Sequence, residues 1–332
     1  MTDLLTVARL AGVSRATAAR AFSEPEKVRE ATRDKVYAAS EAVGFRPNYV
    51  ARQLRTQSTR IIGVMLPTLC NPLFSEQLQA MEQVARAGGY SLMVATTDYD
   101  AERESAVMEN MLRQRVDGLV LTVADAQQSA CLALLEREPL PVVLVHNPAA
   151  APHFITVSVD NHQAMYQATG RLLDLGHRHI GMIAGPVQQS DRARLRYQGY
   201  CQAMTNAGMS PLPLIEMAHH TRADTRLLLP WLGPEQKLTA LICSNDLLAL
   251  SAIGCLQRQG YRVPEQISVM GFDGIALGEM LCPSLSSVVQ PQQELGQVAM
   301  ESVLGLIAGA VISSRRLDFT LRQGESIARA RF

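Results

Sequence analysis

The 332-residue sequence predicts an α/β protein with two parts, an all-α helix-turn-helix headpiece and a two-lobed body built on two parallel sheets. Two observations lead to this fold class. Short, alanine-rich helical segments fill the beginning of the chain, and from residue 60 onwards strand-like apolar runs alternate with helical stretches. Such alternation favours parallel sheets whose faces are covered by helices. At this length the chain is expected to hold two or three domains.

The first predicted helix of the headpiece spans Leu4–Ala11. Asp3 precedes it and is a good N-cap residue, because a short side-chain oxygen can accept a free amide of the first turn. The apolar spacing predicts that Leu5, Ala8 and Leu10 face inward.

The second predicted helix, Arg15–Phe22, is introduced by a turn. Gly12 suits the positive φ that follows a helix end, and Ser14 is a good N-cap. A third helix begins near Glu30 and ends at Gly44, with an inner stripe of Val36, Ala39, Ser40 and Val43. Helix, glycine turn and serine-capped helix together form the helix-turn-helix pattern.

Charge is unevenly distributed along the chain. Residues 1–60 hold eleven Lys and Arg against six Asp and Glu, whereas the remainder holds twenty against twenty-five. A basic headpiece on an acidic body indicates that the headpiece meets a polyanion. The longest apolar runs are much shorter than the roughly 20 residues of a membrane helix, and the first residues do not have the pattern of a secretory signal. The six scattered cysteines are expected to be reduced thiols of a cytoplasmic protein.

The segment TVARLAGVSRATAARAF, followed by VREATRDKVYAASEAVGFRPNYVARQLRTQST, resembles the headpiece and hinge of the lactose-repressor (LacI/GalR) family. The most specific marks are A-G-V-S at the turn and P-N-x-x-A-x-x-L in the hinge. The resemblance continues through the whole chain. It implies a transcriptional regulator, most simply a repressor, with a body like that of periplasmic binding proteins and a small-molecule effector between the lobes. No cofactor is expected, and no metal site is expected because His219 and His220 are adjacent and do not have the spacing of metal ligands on a helix.

Groove geometry and the resemblance together indicate which side chains contact DNA. The N-terminal residues of a recognition helix meet base edges, so Arg15 can donate two hydrogen bonds to guanine and Ala16 can touch a methyl group. The full set of expected contacts is Ser14, Arg15, Ala16, Thr17 and Arg20 in the headpiece, and Asn48, Ala51 and Leu54 in the hinge. For Leu54 the resemblance implies a wedge in the minor groove. The family's usual T-V-S-R is here Thr17-Ala18-Ala19-Arg20, which removes a phosphate-contacting hydroxyl.

Eight strands are predicted in the body. They are Ile61–Leu66, Ser91–Thr96, Gly118–Thr122, Pro141–His146, Ile155–Asp160, Ile180–Gly185, Ala240–Asn245 and Ile267–Asp273. The helices between and after them are Leu73–Ala87, Ala101–Gln114, Gln163–Leu175, Asp191–Ala207, Asp246–Gly260 and Gln292–Ala308. One more strand-like segment, Arg316–Leu321, stands near the end of the chain.

Ligands of parallel sheets bind at the carboxyl ends of the strands, so the polar residues there are the candidate effector contacts. They are Asn71, Phe74, His146, Asp160, Arg192, Arg196, Asn245, Asp273 and Gln290. Carboxylates, amides and guanidinium groups beside an aromatic ring suit a polyhydroxylated ligand. The resemblance implies effector contacts for Arg196 of R-x-x-G and Asp273 of G-F-D in particular. Asp160, Asp191 and Asp246 precede helices and could instead be N-caps.

His146 stands where many members of the family have an acidic residue, and His220 is expected near the cleft. A cleft with one carboxylate fewer and two arginines tolerates an anion better. The candidate effectors are therefore a sugar acid or a sugar phosphate as well as a neutral sugar or a nucleoside.

Three functional classes remain at this stage: an effector-controlled DNA-binding regulator, a plain sugar-binding protein, and an α/β enzyme. The headpiece disfavours the second class. The sequence lacks G-x-G-x-x-G, G-x-x-x-x-G-K-[ST], H-E-x-x-H and G-x-S-x-G, and this disfavours the third. The sign of control, activation or repression, is not determined by these motifs.

The predicted organisation has three parts. Residues 1–48 form the headpiece, 49–59 the hinge helix and linker, and 60–332 the effector-binding and dimerisation domain. Lobe 1 is expected at about 60–158 and 290–318, and lobe 2 at about 159–289 and 319–332. A two-fold homodimer on a near-palindromic operator is expected, since one headpiece reads few base pairs.

Overall fold

The computed structural model describes residues 3–45, 58–149, 154–233 and 238–330, and it divides into two compact units, Met1–Thr59 and Arg60–Phe332. The hinge residues Asn48, Ala51 and Leu54, for which DNA contacts are predicted, lie outside the described residues.

The described part of the first unit holds three helices, α1 (Leu4–Leu10), α2 (Arg15–Ser23) and α3 (Glu30–Ala42), with a 3₁₀ turn at Pro25–Lys27. Both predicted caps are present. Asp3 Oδ1 accepts the N–H of Thr6 at 2.9 Å, and Ser14 Oγ accepts the N–H of Thr17 at 3.1 Å. Gly12 has φ +66° in the turn that joins α1 to α2, where a Cβ would be disfavoured.

The core of the headpiece consists of small residues, which let the three helices approach closely. Its buried members are Val7, Ala8, Ala18, Ala21, Val36 and Ala39. The prediction that Leu5 and Leu10 face inward is wrong, because they are 49% and 60% exposed. The inner stripe of α1 instead runs through Leu4, Val7, Ala8 and Ala11, which follow the i, i+3, i+4, i+7 spacing of one helix face.

Two six-stranded sheets organise the second unit. The first, in spatial order, is β11 (Arg315–Leu317), β5 (Ile155–Val159), β4 (Val142–Val145), β3 (Gly118–Leu121), β1 (Ile61–Leu66) and β2 (Ser91–Thr96), all parallel. The second is β12 (Thr320–Arg322), β10 (Ser286–Val289), β9 (Ser268–Asp273), β8 (Ala240–Cys243), β6 (Ile180–Ala184) and β7 (Ile215–Glu216), parallel except for β12. We call the parts built on these sheets lobe 1 and lobe 2.

Helices flank each sheet. Lobe 1 has α4 (Pro72–Ala87), α5 (Ala101–Arg113), α6 (Ala130–Leu135) and α11 (Gln292–Ile307). Lobe 2 has α7 (Asn161–Asp174), α8 (Asp191–Asn206), α9 (Thr225–Leu228) and α10 (Asp246–Arg258). The inner strands β1, β3, β4, β6, β8 and β9 are buried on both faces and mostly apolar, as expected for parallel sheets covered by helices. The edge strands β2, β7 and β12 and the short β11 are partly exposed.

The chain passes between the lobes three times: after β5, after β10 and between β11 and β12. The prediction of a single strand at Arg316–Leu321 is wrong, because the chain makes its third passage between the lobes within this segment. This segment forms two short strands, and Asp318 and Phe319 connect the sheet of lobe 1 to that of lobe 2. The sequence did not predict four short elements, β7, α6, α9 and β10, since their few residues carry no clear periodicity.

Candidate functional site

The exposed surface of α2 holds the predicted DNA-contacting side chains of the headpiece. Ser14, Arg15, Ala16 and Arg20 are exposed, whereas Thr17 is partly buried. Ser14 Oγ also lies 2.9 Å from Thr17 Oγ1, so both hydroxyls take part in capping. The two arginines present charged donors from a helix whose opposite face, Ala18 and Ala21, is buried in the core.

In the second unit, a cavity of about 40 Å³ lies between lobe 1 and lobe 2 at the carboxyl ends of the strands. Its lining residues are Asn71, Leu73, Phe74, Tyr99, His146, Ser190, Arg192, Ala193, Arg196, His220, Ser244, Asn245 and Asp273. The structure thus brings together seven of the nine predicted effector contacts, and the other two, Asp160 and Gln290, lie elsewhere.

Asp273 and Arg196 form a buried ion pair at the floor of the cavity, with Oδ1 and Nη1 3.5 Å apart. Arg196 also donates from Nε to Asn161 Oδ1 at 2.8 Å and lies over the ring of Phe272, 3.6 Å from its centroid. Burial lowers the pKa of Arg196 to about 10, although the charge of Asp273 opposes this shift. Arg196 is therefore held rigidly and remains protonated at neutral pH.

The carboxylate of Asp273 is surrounded by amide donors. Asn71 Nδ2 donates to Oδ2 and Gln290 Nε2 donates to Oδ1, each at 2.9 Å. Burial raises the pKa of Asp273, and the charge of Arg196 and the hydrogen bonds of Asn71 and Gln290 oppose that effect. Gln290 is fully buried and stands behind Asp273, so it positions this carboxylate and does not line the cavity.

Gly199, the glycine of R-x-x-G, has a packing role. A Cβ at this position would lie 2.2 Å from the carbonyl oxygen of His162, so only glycine lets α8 approach α7 this closely. The close approach places Arg196 within reach of Asn161 on α7.

His146 lines the cavity beside Phe74, with the two rings edge to face at 5.7 Å between centroids. Its Nε2 lies 3.1 Å from Gln77 Oε1. Burial, and to a lesser degree the charges of Arg192 and Arg196, lower the pKa of the imidazole to about 3. His146 is therefore neutral at physiological pH, and this position contributes no negative charge to the cavity.

The expectation that Asp160 contacts the effector is not supported by its position, because Asp160 caps α7. Its Oδ1 accepts the N–H of Gln163 at 2.9 Å, and its Oδ2 pairs with exposed Arg316 at 2.9 Å. Asp191 and Asp246 were also considered as N-caps, and for them this alternative is wrong. The residue before each one caps the helix: Ser190 caps α8 and Asn245 caps α10.

Asp191 instead joins the lobes. Its Oδ2 accepts the N–H of Ala126 at 3.0 Å and the Nδ2–H of Asn147 at 2.8 Å, while its own N–H donates to Ala124 O at 2.9 Å. Beside it, Arg192 donates from Nη1 to Val123 O at 2.7 Å. The N-terminus of α8 in lobe 2 is thereby bonded to the segment after β3 in lobe 1.

Tyr99 is a lining residue that the sequence analysis missed, and it meets His220, which was expected near the cleft. Their rings stack across the lobes with centroids 3.8 Å apart. Burial raises the pKa of Tyr99 to about 12 and lowers that of His220 to about 4, with Arg192 adding to the second shift. Tyr99 follows β2 by three residues, so the rule that located the other site residues at strand ends could have found it.

Three lining residues hold a left-handed backbone: Tyr99 with φ +62°, His146 with φ +68° and Asp273 with φ +117°. Each such conformation costs a non-glycine residue on the order of 1–3 kcal/mol, and surrounding packing must hold it. This concentration of strained residues around one cavity is typical of ligand-binding sites.

Two buried polar atoms of lining residues have no hydrogen-bond partner, Arg192 Nη2 and His220 Nε2. Three further buried atoms of the described residues are also unpaired, Gln77 Nε2, Thr97 Oγ1 and Gln290 Oε1. Since buried polar groups are usually paired, Arg192 Nη2 and His220 Nε2 are candidate attachment points for a ligand. Among the described residues, no three His, Cys, Asp or Glu side chains gather as metal ligands, and no helix is long and apolar enough to cross a bilayer.

Two family models match the chain in succession. Residues 3–48 match the model for bacterial regulatory proteins of the lacI family. Residues 59–325 match the model for periplasmic binding proteins and the sugar-binding domain of the LacI family.

Whole proteins of known role are also similar. The HTH-type transcriptional regulator GntR of Escherichia coli K12 is 34% identical over 327 residues, which cover 98% of each chain. The HTH-type transcriptional repressor CytR of the same organism is 33% identical over 93% of this chain and 90% of CytR. Among solved structures, the lac repressor dimer bound to operator and the anti-inducer ONPF superposes with a TM-score of 0.88 at 26% identity, covering 98% of this chain and 99% of the repressor chain.

Proposed function

The chain belongs to the LacI family of bacterial regulatory proteins, and from this premise we propose that it is a cytoplasmic repressor whose affinity for operator DNA is set by a polyhydroxylated small molecule bound between lobe 1 and lobe 2. The observation that carries the proposal is the buried polar cavity at the strand ends, in a chain that also has a helix-turn-helix headpiece with exposed arginines. The similar GntR and CytR are transcriptional regulators, and we infer that this chain has no enzymatic activity.

For DNA recognition we infer a homodimer on a near-palindromic operator. The similar lac repressor is a dimer on its operator. One recognition helix reads few base pairs, so a two-fold dimer doubles the sequence that is read. Arg15 and Ala16 would face base edges, Ser14, Thr17 and Arg20 would face phosphates or flanking bases, and hinge residues Asn48, Ala51 and Leu54 would act in the minor groove.

For effector recognition we assign contacts to seven lining residues: Asn71, Phe74, His146, Arg192, Arg196, Asn245 and Asp273. Hydroxyl groups of a ligand can donate to Asp273 and accept from Arg196, and Phe74 can cover an apolar face. Gln290 would act through Asp273. Asp160 is not included, because its carboxylate is used by the cap of α7 and by Arg316.

The effector would control DNA binding through thermodynamic linkage between the effector site and the operator site. If the effector favours one arrangement of the lobes and the operator another, each ligand changes the affinity of the other by the same factor, typically 5–150-fold. The assignment requires this reciprocity. A ligand that changes operator affinity must have its own affinity changed when operator is added.

Two measurements test the proposed function. A thermal-shift screen of sugars, sugar acids, sugar phosphates and nucleosides should find a ligand, since saturation at 100 times Kd stabilises the fold by about 2.7 kcal/mol. Selection of bound sequences from random DNA should return a near-palindrome whose release the same ligand controls. Failure to select any DNA sequence would exclude a regulator, and turnover of the ligand would indicate an enzyme.

A further inference from the structure

We propose that the effector is a polyhydroxy carboxylic acid and that its carboxylate binds to Arg192 and His220 on the lobe 2 wall of the cavity. The inference rests on the proposed function and identifies the chemical class of its ligand. It starts from the two unpaired atoms, Arg192 Nη2 and His220 Nε2.

Arg192 is a built part of the site. Only 5% of its surface is exposed, and its Nη1 is fixed by Val123 O at 2.7 Å and by Asp191 Oδ1 at 3.1 Å. These bonds hold the planar guanidinium in one orientation and leave Nη2 unpaired. A buried charged donor is costly to leave unpaired, so this atom is a strong attachment point for an acceptor.

His220 is fixed by its stack on Tyr99 and by the backbone on which it stands. Asn245 Nδ2 donates to the carbonyl oxygen of His220 at 2.6 Å. Burial and the nearby charge of Arg192 lower the pKa of its imidazole to about 4, so the ring is neutral. In the tautomer with a proton on Nε2, it offers a second unpaired donor to the cavity.

The acceptors of the same cavity already have donors from the protein, although the carboxylate of Asp273, with about four lone-pair sites, can still accept from one ligand hydroxyl. Asp273 accepts hydrogen bonds from Asn71, Gln290 and Arg196. Asn245 Oδ1 accepts the N–H of Leu248 at 2.9 Å, and Ser244 O accepts from Arg196. The lobe 2 wall therefore has more free donors than free acceptors.

This imbalance discriminates between ligand groups. A hydroxyl that accepts a hydrogen bond from Arg192 or His220 must still donate its own O–H to a free acceptor, whereas an ionised carboxylate only accepts. Two donors match the two oxygens of a carboxylate. A phosphate has three terminal oxygens and nearly twice the charge, and two donors beside the carboxylate of Asp191 do not satisfy it. The hydroxyls of the ligand would face Arg196 and Asp273, which line the same cavity.

The test compares matched compounds by isothermal titration of the full-length protein. The panel contains aldonates of four to six carbons, the alditols with CH₂OH in place of the carboxylate, and the corresponding aldose phosphates. At least one aldonate should bind, and its alditol and phosphate partners should bind at least about 30-fold more weakly. The proposal is overturned if no aldonate binds. It is also overturned if every aldonate that binds has an alditol or phosphate partner whose affinity is within threefold of its own.

Variants separate recognition of the carboxylate from a merely structural role. Arg192→Gln and His220→Leu should each lower the ratio of aldonate affinity to alditol affinity by at least tenfold, whereas a structural defect would weaken both ligands equally. His220→Gln, which keeps a donor near Nε2, should restore part of the ratio. Arg226→Gln is the matched control, since Arg226 is 88% exposed and lies outside the cavity. An unchanged ratio in Arg192→Gln overturns the assignment.

The outcome also distinguishes this inference from the proposed function. A neutral sugar or a nucleoside that binds best and changes operator affinity would exclude the carboxylic acid and leave the regulator intact. If no compound of either screen binds, both proposals fail.

Discussion

The ring of Tyr99 in lobe 1 stacks on the imidazole of His220 in lobe 2, with 3.8 Å between centroids and 26° between planes. Tyr99 reaches this position from a backbone with φ +62°, and the preceding Asp98 has φ +52°. Two consecutive left-handed residues are costly without a compensating contact. We infer that the stack across the lobes is this contact, and that it closes one side of the cavity.

Removal of the stack between Tyr99 and His220 should weaken binding of the effector. Aromatic pairs contribute about 0.5–1.5 kcal/mol beyond burial, so Tyr99→Ala is expected to lower effector affinity roughly 2–10-fold. Tyr99→Phe keeps the ring and should bind nearly as the parent does. Titration calorimetry with the ligand found in the screen measures both. Equal affinities for Tyr99→Ala and the parent protein would show that the stack does not contribute to the bound state.

Substitution of Asp273 should uncouple the effector from DNA. Asp273→Asn removes the partner of buried Arg196, which is expected to abolish effector binding at millimolar ligand and to lower stability by up to about 3–5 kcal/mol. Operator affinity without effector should stay within threefold of the parent, as measured by fluorescence anisotropy. Circular dichroism must first show that the variant is folded. A folded Asp273→Asn protein that still releases operator in response to the effector would contradict the assigned role.

Arg15 is expected to read one base pair in each half-site. Loss of a bidentate contact to guanine costs about 1–3 kcal/mol and relaxes specificity at that position only. Binding of Arg15→Ala to a library of single-position operator variants provides the measurement. Arg20→Ala serves as the comparison, since a phosphate contact should weaken all sequences alike and reduce the salt dependence. Uniform weakening by Arg15→Ala would assign this arginine to phosphate.

His146 should make the fold less stable at mildly acidic pH. In the folded protein its pKa is lowered to about 3, chiefly by burial, whereas an unfolded histidine takes up a proton near pH 6.5. The unfolded state therefore binds the additional proton between pH 6.5 and pH 3, and stability falls as the pH decreases through this window. Relative to His146→Gln, the parent should lose about 2 kcal/mol between pH 7.5 and pH 5. Urea denaturation at both values measures this difference, and parallel losses in the two proteins would mean that His146 is not the group responsible.

Much of the fold could be read from local patterns. The caps Asp3 and Ser14 and the glycine turn are short-range signals, and the structure places α1 and α2 as these residues predict. The strand β1 at Ile61–Leu66 was predicted to the residue, because its apolar run is bounded by polar residues and a proline. The predicted strands Pro141–His146 and Ala240–Asn245 extend past the observed β4 and β8, since the polar residues at their ends have left the sheet to face the cavity.

The roles of single polar residues depended on contacts that are distant in sequence. Asp160 and Asp191 both stand at the start of a helix, yet Asp160 caps α7 and Asp191 joins α8 to lobe 1. Ser190 explains the difference, because it takes over the cap of α8 and leaves Asp191 free for Ala126 and Asn147. The neighbouring serine decides which aspartate caps its helix, but the partners of Asp191, Ala126 and Asn147, are brought to it only by folding.

The sequence alone determined the headpiece, the alternation of strands and helices, and the strand ends at which a ligand site was predicted. These features depend on periodicity, capping and turn chemistry, which act over a few residues. The tertiary structure alone decided which strand-end groups share the cavity, that Tyr99 meets His220, and that Arg192 and His220 keep unpaired donors. Pairing, burial and pKa depend on the atoms that folding brings together from two lobes, and these atoms are up to about 200 positions apart in the chain, as in the hydrogen bond between Asn71 and Asp273.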